Sequence, residues 1–168
     1  MTNDLQTALD FSPDDLVDNR SGKLSVRQRE RLRRLRFRSM LIGAALLIFF
    51  AFVATSFLFV GQQNAAPISS LIGVGVTVAN TVMLAIMARY WLRLNADLQA
   101  GRVRAVTGSA ERVIRVTGRT ANYVIRIGGE QFPVNKETIK AFQHEASYTL
   151  YSTPYTRLLL SGEPDWRK

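Results

Sequence analysis

The chain has 168 residues, 47% of them hydrophobic, with a formal net charge of +9 and no cysteine. The lack of thiols excludes disulfides, thiol catalysis and cysteine-type zinc sites. A mean hydropathy of +0.02 matches a soluble protein only because it averages two strongly apolar runs with polar flanks.

Residues 1–24 are expected to form an acidic, flexible tail. Asp4, Asp10, Asp14, Asp15 and Asp18 give the first 18 residues a charge of −5. Ser12-Pro13-Asp14-Asp15 is a good helix start, with a capping serine, proline at the first helical position and acids at the positive end of the dipole. A helix this short is marginal alone. The alternative is a docking peptide that uses Leu5, Leu9, Phe11, Leu16 and Val17.

Residues 25–38 read as a basic juxtamembrane helix. Ser25-Val26-Arg27-Gln28 has the spacing of a capping box. Arg27, Arg29, Arg31, Arg33, Arg34, Arg36 and Arg38 follow, and residues 19–38 carry +8. These arginines are expected to face anionic lipid and to fix the topology, each contributing ~1 kcal/mol near such a surface.

Two apolar runs come next: residues 39–60, within which MLIGAALLIFFAFVATSFLFV covers Met40 to Val60, and residues 68–92. Each reaches the ~20 residues that a helix needs to cross a bilayer. The first begins too far along the chain, and is too long, for a cleavable signal. The loop between them, 61–67, is uncharged, whereas Arg89 and Arg93 close the second run. Basic residues near span ends stay cytoplasmic, so both termini are expected in the cytoplasm, with Tyr90 and Trp91 in the interfacial belt. The expected location is the cell (cytoplasmic) membrane, with lipid as one partner.

Small residues recur along the second run. Gly73, Thr77 and Thr81 are spaced by four, and Gly75 and Ala79 add a neighbouring pair. Such faces allow close helix packing in lipid, and Asn80 could hydrogen-bond across the interface. The expected partner is the first span, with a second copy or another membrane protein as alternatives. No ionisable residue lies between Met40 and Ala88, which argues against an ion pathway.

Residues 93–100 read as a short linker and 101–164 as a small all-β domain, followed by a tail at 165–168. RVRAVTG, ERVIRVTG, NYVIRIGG and EQFPVN are β-branched runs bounded by glycine. Gly128-Gly129 is a two-residue hairpin turn. Residues 136–143 read as a short helix, followed by two strands joined through Thr153-Pro154-Tyr155-Thr156. A long or broken first strand, a hairpin, a helix and a second hairpin make five strands with a helix between the third and fourth, the order of an OB-like barrel, or alternatively an SH3-like one.

Chemistry-bearing motifs are sparse. His144 is the single histidine, and one imidazole cannot build a metal site. No phosphate-binding loop, nucleophile elbow or zincin motif occurs. No cofactor is implied and an enzyme is not expected. The candidate binding face of the domain is Arg112, Arg115 and Arg126 with Tyr151 and Tyr155, while Tyr123 shares the parity of Ile125 and Ile127 and should point inward.

Tyr148 to Pro164, YTLYSTPYTRLLLSGEP, resembles the C-terminal segment of small bacterial two-span membrane proteins. In these a tyrosine-rich strand, a Thr-Pro turn, a leucine run and Glu-Pro close a cytoplasmic β domain. The resemblance implies a bacterial cell membrane and no functional residues. Membrane proteins of the NfeD type are similar in architecture only, with no shared motif. The expected function is a non-enzymatic binding, scaffolding or accessory-subunit module that serves another membrane protein or itself. The alternative is a membrane-tethered binder of nucleic acid or anionic lipid.

Overall fold

The computed structural model describes residues 2–64, 66–117 and 120–165. The chain divides into two compact units, one built from residues 1–31 and 97–168, the other from residues 32–96.

Two long helices supply the second unit. Helix α3 runs Val26–Gln63 and α4 runs Pro67–Ala100, numbered after two short N-terminal helices described below. Both are long and apolar enough to cross a membrane. The capping box at Ser25 forms: Gln28 donates its N–H to Ser25 Oγ at 3.1 Å, and the Ser25 N–H returns to Gln28 Oε1 at 3.3 Å. Residues 93–100 are not a linker. They hold good helix formers and no glycine or proline, so α4 continues until Gly101. There a positive φ of 58° ends it, the usual role of glycine past a helix C-terminus.

Where α3 and α4 pack, glycine permits the approach. A Cβ on Gly73 would lie 2.7 Å from Leu58 Cγ, and one on Gly61 would lie 2.7 Å from the Ser70 backbone nitrogen. Asn80 donates to the Leu47 carbonyl at 3.4 Å. The other small residues of the expected packing stripe point elsewhere. Gly75, Thr77, Ala79 and Thr81 are exposed. Both threonine hydroxyls bond back to carbonyls four residues earlier, at 2.9 and 3.0 Å.

The first unit is a β domain that incorporates the N-terminus. Helices α1 (Thr2–Leu9) and α2 (Pro13–Arg20) stand where a flexible tail was expected. Leu5 and Leu9 are one helical turn apart, and with Phe11 they enter the same core as Ile125, Ile127, Phe132, Phe142 and Leu150. Leu16 packs against that core, whereas Val17 is exposed. Ser12 and Asp15 form a full capping box on α2. Burying this apolar face supplies the stability that an isolated short helix lacks.

Six strands follow: β1 (Arg104–Ser109), β2 (Glu111–Thr117), β3 (Thr120–Ile127), β4 (Glu130–Val134), β5 (Ser147–Ser152) and β6 (Leu159–Pro164), with helix α5 (Lys136–Ala141) between β4 and β5. They make two three-stranded antiparallel sheets, β1-β5-β6 and β2-β3-β4. A closed barrel was expected and is not found. The first expected strand is broken at Ala110, whose N–H bonds the Ala146 carbonyl and whose carbonyl accepts from Glu145 N–H, at 2.9 and 2.8 Å. The halves on either side join different sheets, so the helix falls between the fourth and fifth strands. The Gly128-Gly129 turn forms as expected, with φ of 56° and 80°.

Residues 22–24 are stitched to 101–103. Leu24 N–H donates to the Gly101 carbonyl and Val103 N–H to that of Gly22, at 3.0 and 2.9 Å.

Candidate binding surface

A sheet edge carries unpaired backbone groups, and folded proteins cover or blunt such edges. Strands β1, β6, β4 and β2 are all edges, and they differ in this respect: β1 has the β3–β4 turn against it, where a Cβ on Gly108 would lie 2.9 Å from the Gly128 nitrogen. Helix α1 packs along β6, where Leu9 Cδ1 would sit 3.7 Å from a Cβ on Gly162. Strand β4 carries Pro133, which offers no N–H. Strand β2 has none of these devices: it pairs with β3 on one side and with no strand on the other among the described residues.

The β2–β3 register fixes what this edge presents. Arg112 opposes Ile125, Ile114 opposes Tyr123 and Val116 opposes Ala121. Directly opposed residues share a face, so Ile114 and Val116 lie on the same face as the buried Ile125. They extend beyond the core, however, and are 54% and 72% exposed. Arg112 N–H points away from β3 and donates to His144 Nδ1 at 3.3 Å. By the alternation of an antiparallel ladder, the backbone groups of Ile114 and Val116 point the same way. The single histidine therefore caps the start of the edge.

The expected arginine face is split. Arg115 opposes Asn122 and Arg126 opposes Glu111, which places both on the face opposite Arg112. Arg126 Nη1 bonds Glu111 Oε2 at 3.2 Å, and Arg112 Nη1 reaches the Phe142 carbonyl at 3.4 Å. Of the two tyrosines in the expected face, Tyr151 is buried and Tyr155 is 53% exposed. Tyr151 donates its hydroxyl to Glu163 Oε1 at 2.9 Å, and Arg20 of α2 pairs with the same carboxylate. Burial, reinforced by Glu163, pushes the Tyr151 phenol up to about 12. Tyr123 packs against the core as its parity predicted.

Two buried carboxylates organise this unit, Asp97 within its C-terminal part and Asp15 within its N-terminal part. Asp97 is fully buried and accepts the N–H groups of Tyr155 and Thr156, each at 2.8 Å, together with the Thr156 hydroxyl. Asp15 is also buried. Burial alone would push its carboxyl up, but bonds from the Ser25 hydroxyl and from Ser12, with Arg27 nearby, outweigh this and hold it below its ordinary value.

The basic stretch divides in the same way. Arg27 pairs with Asp10 at 2.7 Å and lies 3.9 Å from Asp15. Arg31 lies 3.6 Å from Asp10 and donates to the Leu9 carbonyl at 3.0 Å. The acids of the N-terminal segment thus engage two of the arginines expected at lipid. Arg29 is exposed in the same unit. Arg33, Arg38, Arg89 and Arg93 are exposed in the other unit, where Arg36 bonds Asn95. Among the described residues no group of three or more His, Cys, Asp or Glu could hold a metal ion.

Sequence reasoning missed Ile114 and Val116. Their period-2 alternation with Arg115 was legible, but it reads as core parity wherever a strand is assumed to end with the core. No family model, curated protein or solved structure matches the chain.

Proposed function

We propose that this is a non-enzymatic, two-span membrane protein whose β domain binds an extended segment of another membrane protein along the β2 edge. The observation that carries this reading is the pairing of an uncovered strand edge with exposed Ile114 and Val116, on a domain that shields β6 and β4. An added strand would take up the outward backbone groups, and alternate side-chain pockets would supply selectivity. Arg112 and Arg115, on the two faces of β2, favour a partner strand with acidic residues. The spans anchor the module, and the bias of Lys and Arg toward one end of the hairpin supports a cytoplasmic position for both termini. On this reading the β domain is an open relative of the OB-type barrel, since the broken first strand joins both sheets.

Gentle purification of the tagged, natively expressed chain tests the function. A stoichiometric membrane protein should accompany it and should be lost with Ile114→Glu, whose position is exposed and whose backbone is unchanged. A clean single chain, or a partner indifferent to Ile114→Glu, would contradict the reading. A second copy in place of a partner would identify the edge as a self-association site.

A further inference from the structure

A groove of about 450 Å³ lies between α3 and α4 at the basic end of the hairpin. That volume is in the range of small-molecule sites, ~300–1,000 Å³. Phe37, Met40, Ala88, Trp91 and Leu92 line it, and Arg36 and Asn95 complete it. Its polarity runs in one direction along both helices. On α3 it passes from Arg36 to Met40, the first residue of the apolar run. On α4 it passes from Asn95 back to Ala88, the last residue before Arg89.

The charge around the groove is of one sign. Residues 32–96 carry six arginines and no acidic residue. All six lie at this end of the two helices: Arg33, Arg34, Arg36 and Arg38 on α3, Arg89 and Arg93 on α4. Arg36 donates Nη1 to Asn95 Oδ1 at 2.9 Å. That bond orients the guanidinium and leaves its remaining N–H groups as donors. Arg33 precedes Arg36 by three residues, so it lies on the same side of the helix.

We infer that this groove holds one anionic glycerophospholipid, with its phosphate at Arg36 and an acyl chain running toward Met40 and Ala88. An arginine fork suits phosphate oxygens. The apolar lining suits a chain that continues into the hydrocarbon, and Trp91 suits the interface between them. This rests on the membrane-spanning reading of α3 and α4, and it assigns lipid to a defined site rather than to the basic stretch as a whole.

The test is native mass spectrometry of the full chain, extracted from membranes and offered phosphatidylglycerol or phosphatidylcholine in detergent. One phosphatidylglycerol should be retained per chain, preferred over phosphatidylcholine by about fivefold for each basic residue near the headgroup. Ala88→Phe should abolish retention by filling the groove. Arg36→Gln keeps an amide donor for Asn95 and should remove the preference while leaving some lipid bound. It decides alone if Ala88→Phe misfolds. Equal retention of the two lipids, or a preference unchanged by Arg36→Gln, would overturn the site. A chain released from membranes by alkaline wash would instead overturn the spanning reading beneath it.

Discussion

Ile125 and Ile114 lie on the same face of the same sheet, yet Ile125 is fully buried and Ile114 is more than half exposed. Both are β-branched and both sit at core parity. What differs is cover: α1 brings Leu5 and Leu9 into the core that holds Ile125, while the outer part of β2 extends past it. Exposed apolar residues scattered singly are ordinary. Two in alternation along an open strand edge are the arrangement that strand addition uses.

Removing the cover should have the largest effect. Leu5→Ala should cost about 2–5 kcal/mol, the range for deleting a buried leucine side chain, read as a lowered melting temperature of the purified chain. If Leu5→Ala leaves the melting temperature unchanged, α1 is not part of the core. Asp97→Ala should come next. It leaves the Tyr155 and Thr156 N–H groups without their carboxylate partner, at about 1.5–3 kcal/mol for hydrogen bonds to a charged group.

The pH dependence has two arms. The folded-state pKa of Asp15 is lowered, so its stabilising contribution is present above the ordinary carboxylate value. It is lost as pH falls through the lower folded value, where α1 and α2 should loosen. Tyr151 has the opposite sign. Its pKa is raised from 10.0 to about 12, so its contribution is intact below pH 10.0 and fades as pH rises toward about 12. Tyr151→Phe should flatten that alkaline arm in a denaturation series and leave the acid arm in place.

The smallest effect on stability belongs to the edge itself. Ile114→Thr should change unfolding free energy by no more than about 0.5 kcal/mol, as exposed positions do. A loss as large as that of Leu5→Ala would show β2 to be packed rather than open.

Local signals were legible in the sequence because their chemistry is local. The capping boxes at Ser12 and Ser25, the Gly128-Gly129 turn and the helix after Asn135 each depend on residues a few positions apart. Interactions across long separations were not legible. Leu5 finds its neighbours on strands more than a hundred residues away, so acidity and shortness made its segment look like a tail. Tyr151 is buried through Glu163 and Arg20, and Arg20 lies on a helix that sequence alone treated as marginal. A long or broken first strand was legible, but the break at Ala110 is fixed by Glu145 and Ala146 across the domain, and its halves join two different sheets instead of closing one barrel. The candidate arginine face failed for a related reason: without the β2–β3 register, Arg112 and Arg115 could not be assigned to opposite faces.

The absence of cysteine makes the central claim directly measurable, because a single introduced thiol is the only one in the chain. Ile114→Cys should react slowly with a maleimide in native membranes opened to the reagent and in the gently purified complex, and quickly once a harsher detergent has stripped the bound partner from the chain. Tyr155→Cys, at an exposed turn off the edge, should react quickly in all three. Equal reactivity of Ile114→Cys before and after the partner is stripped away would contradict an occupied β2 edge.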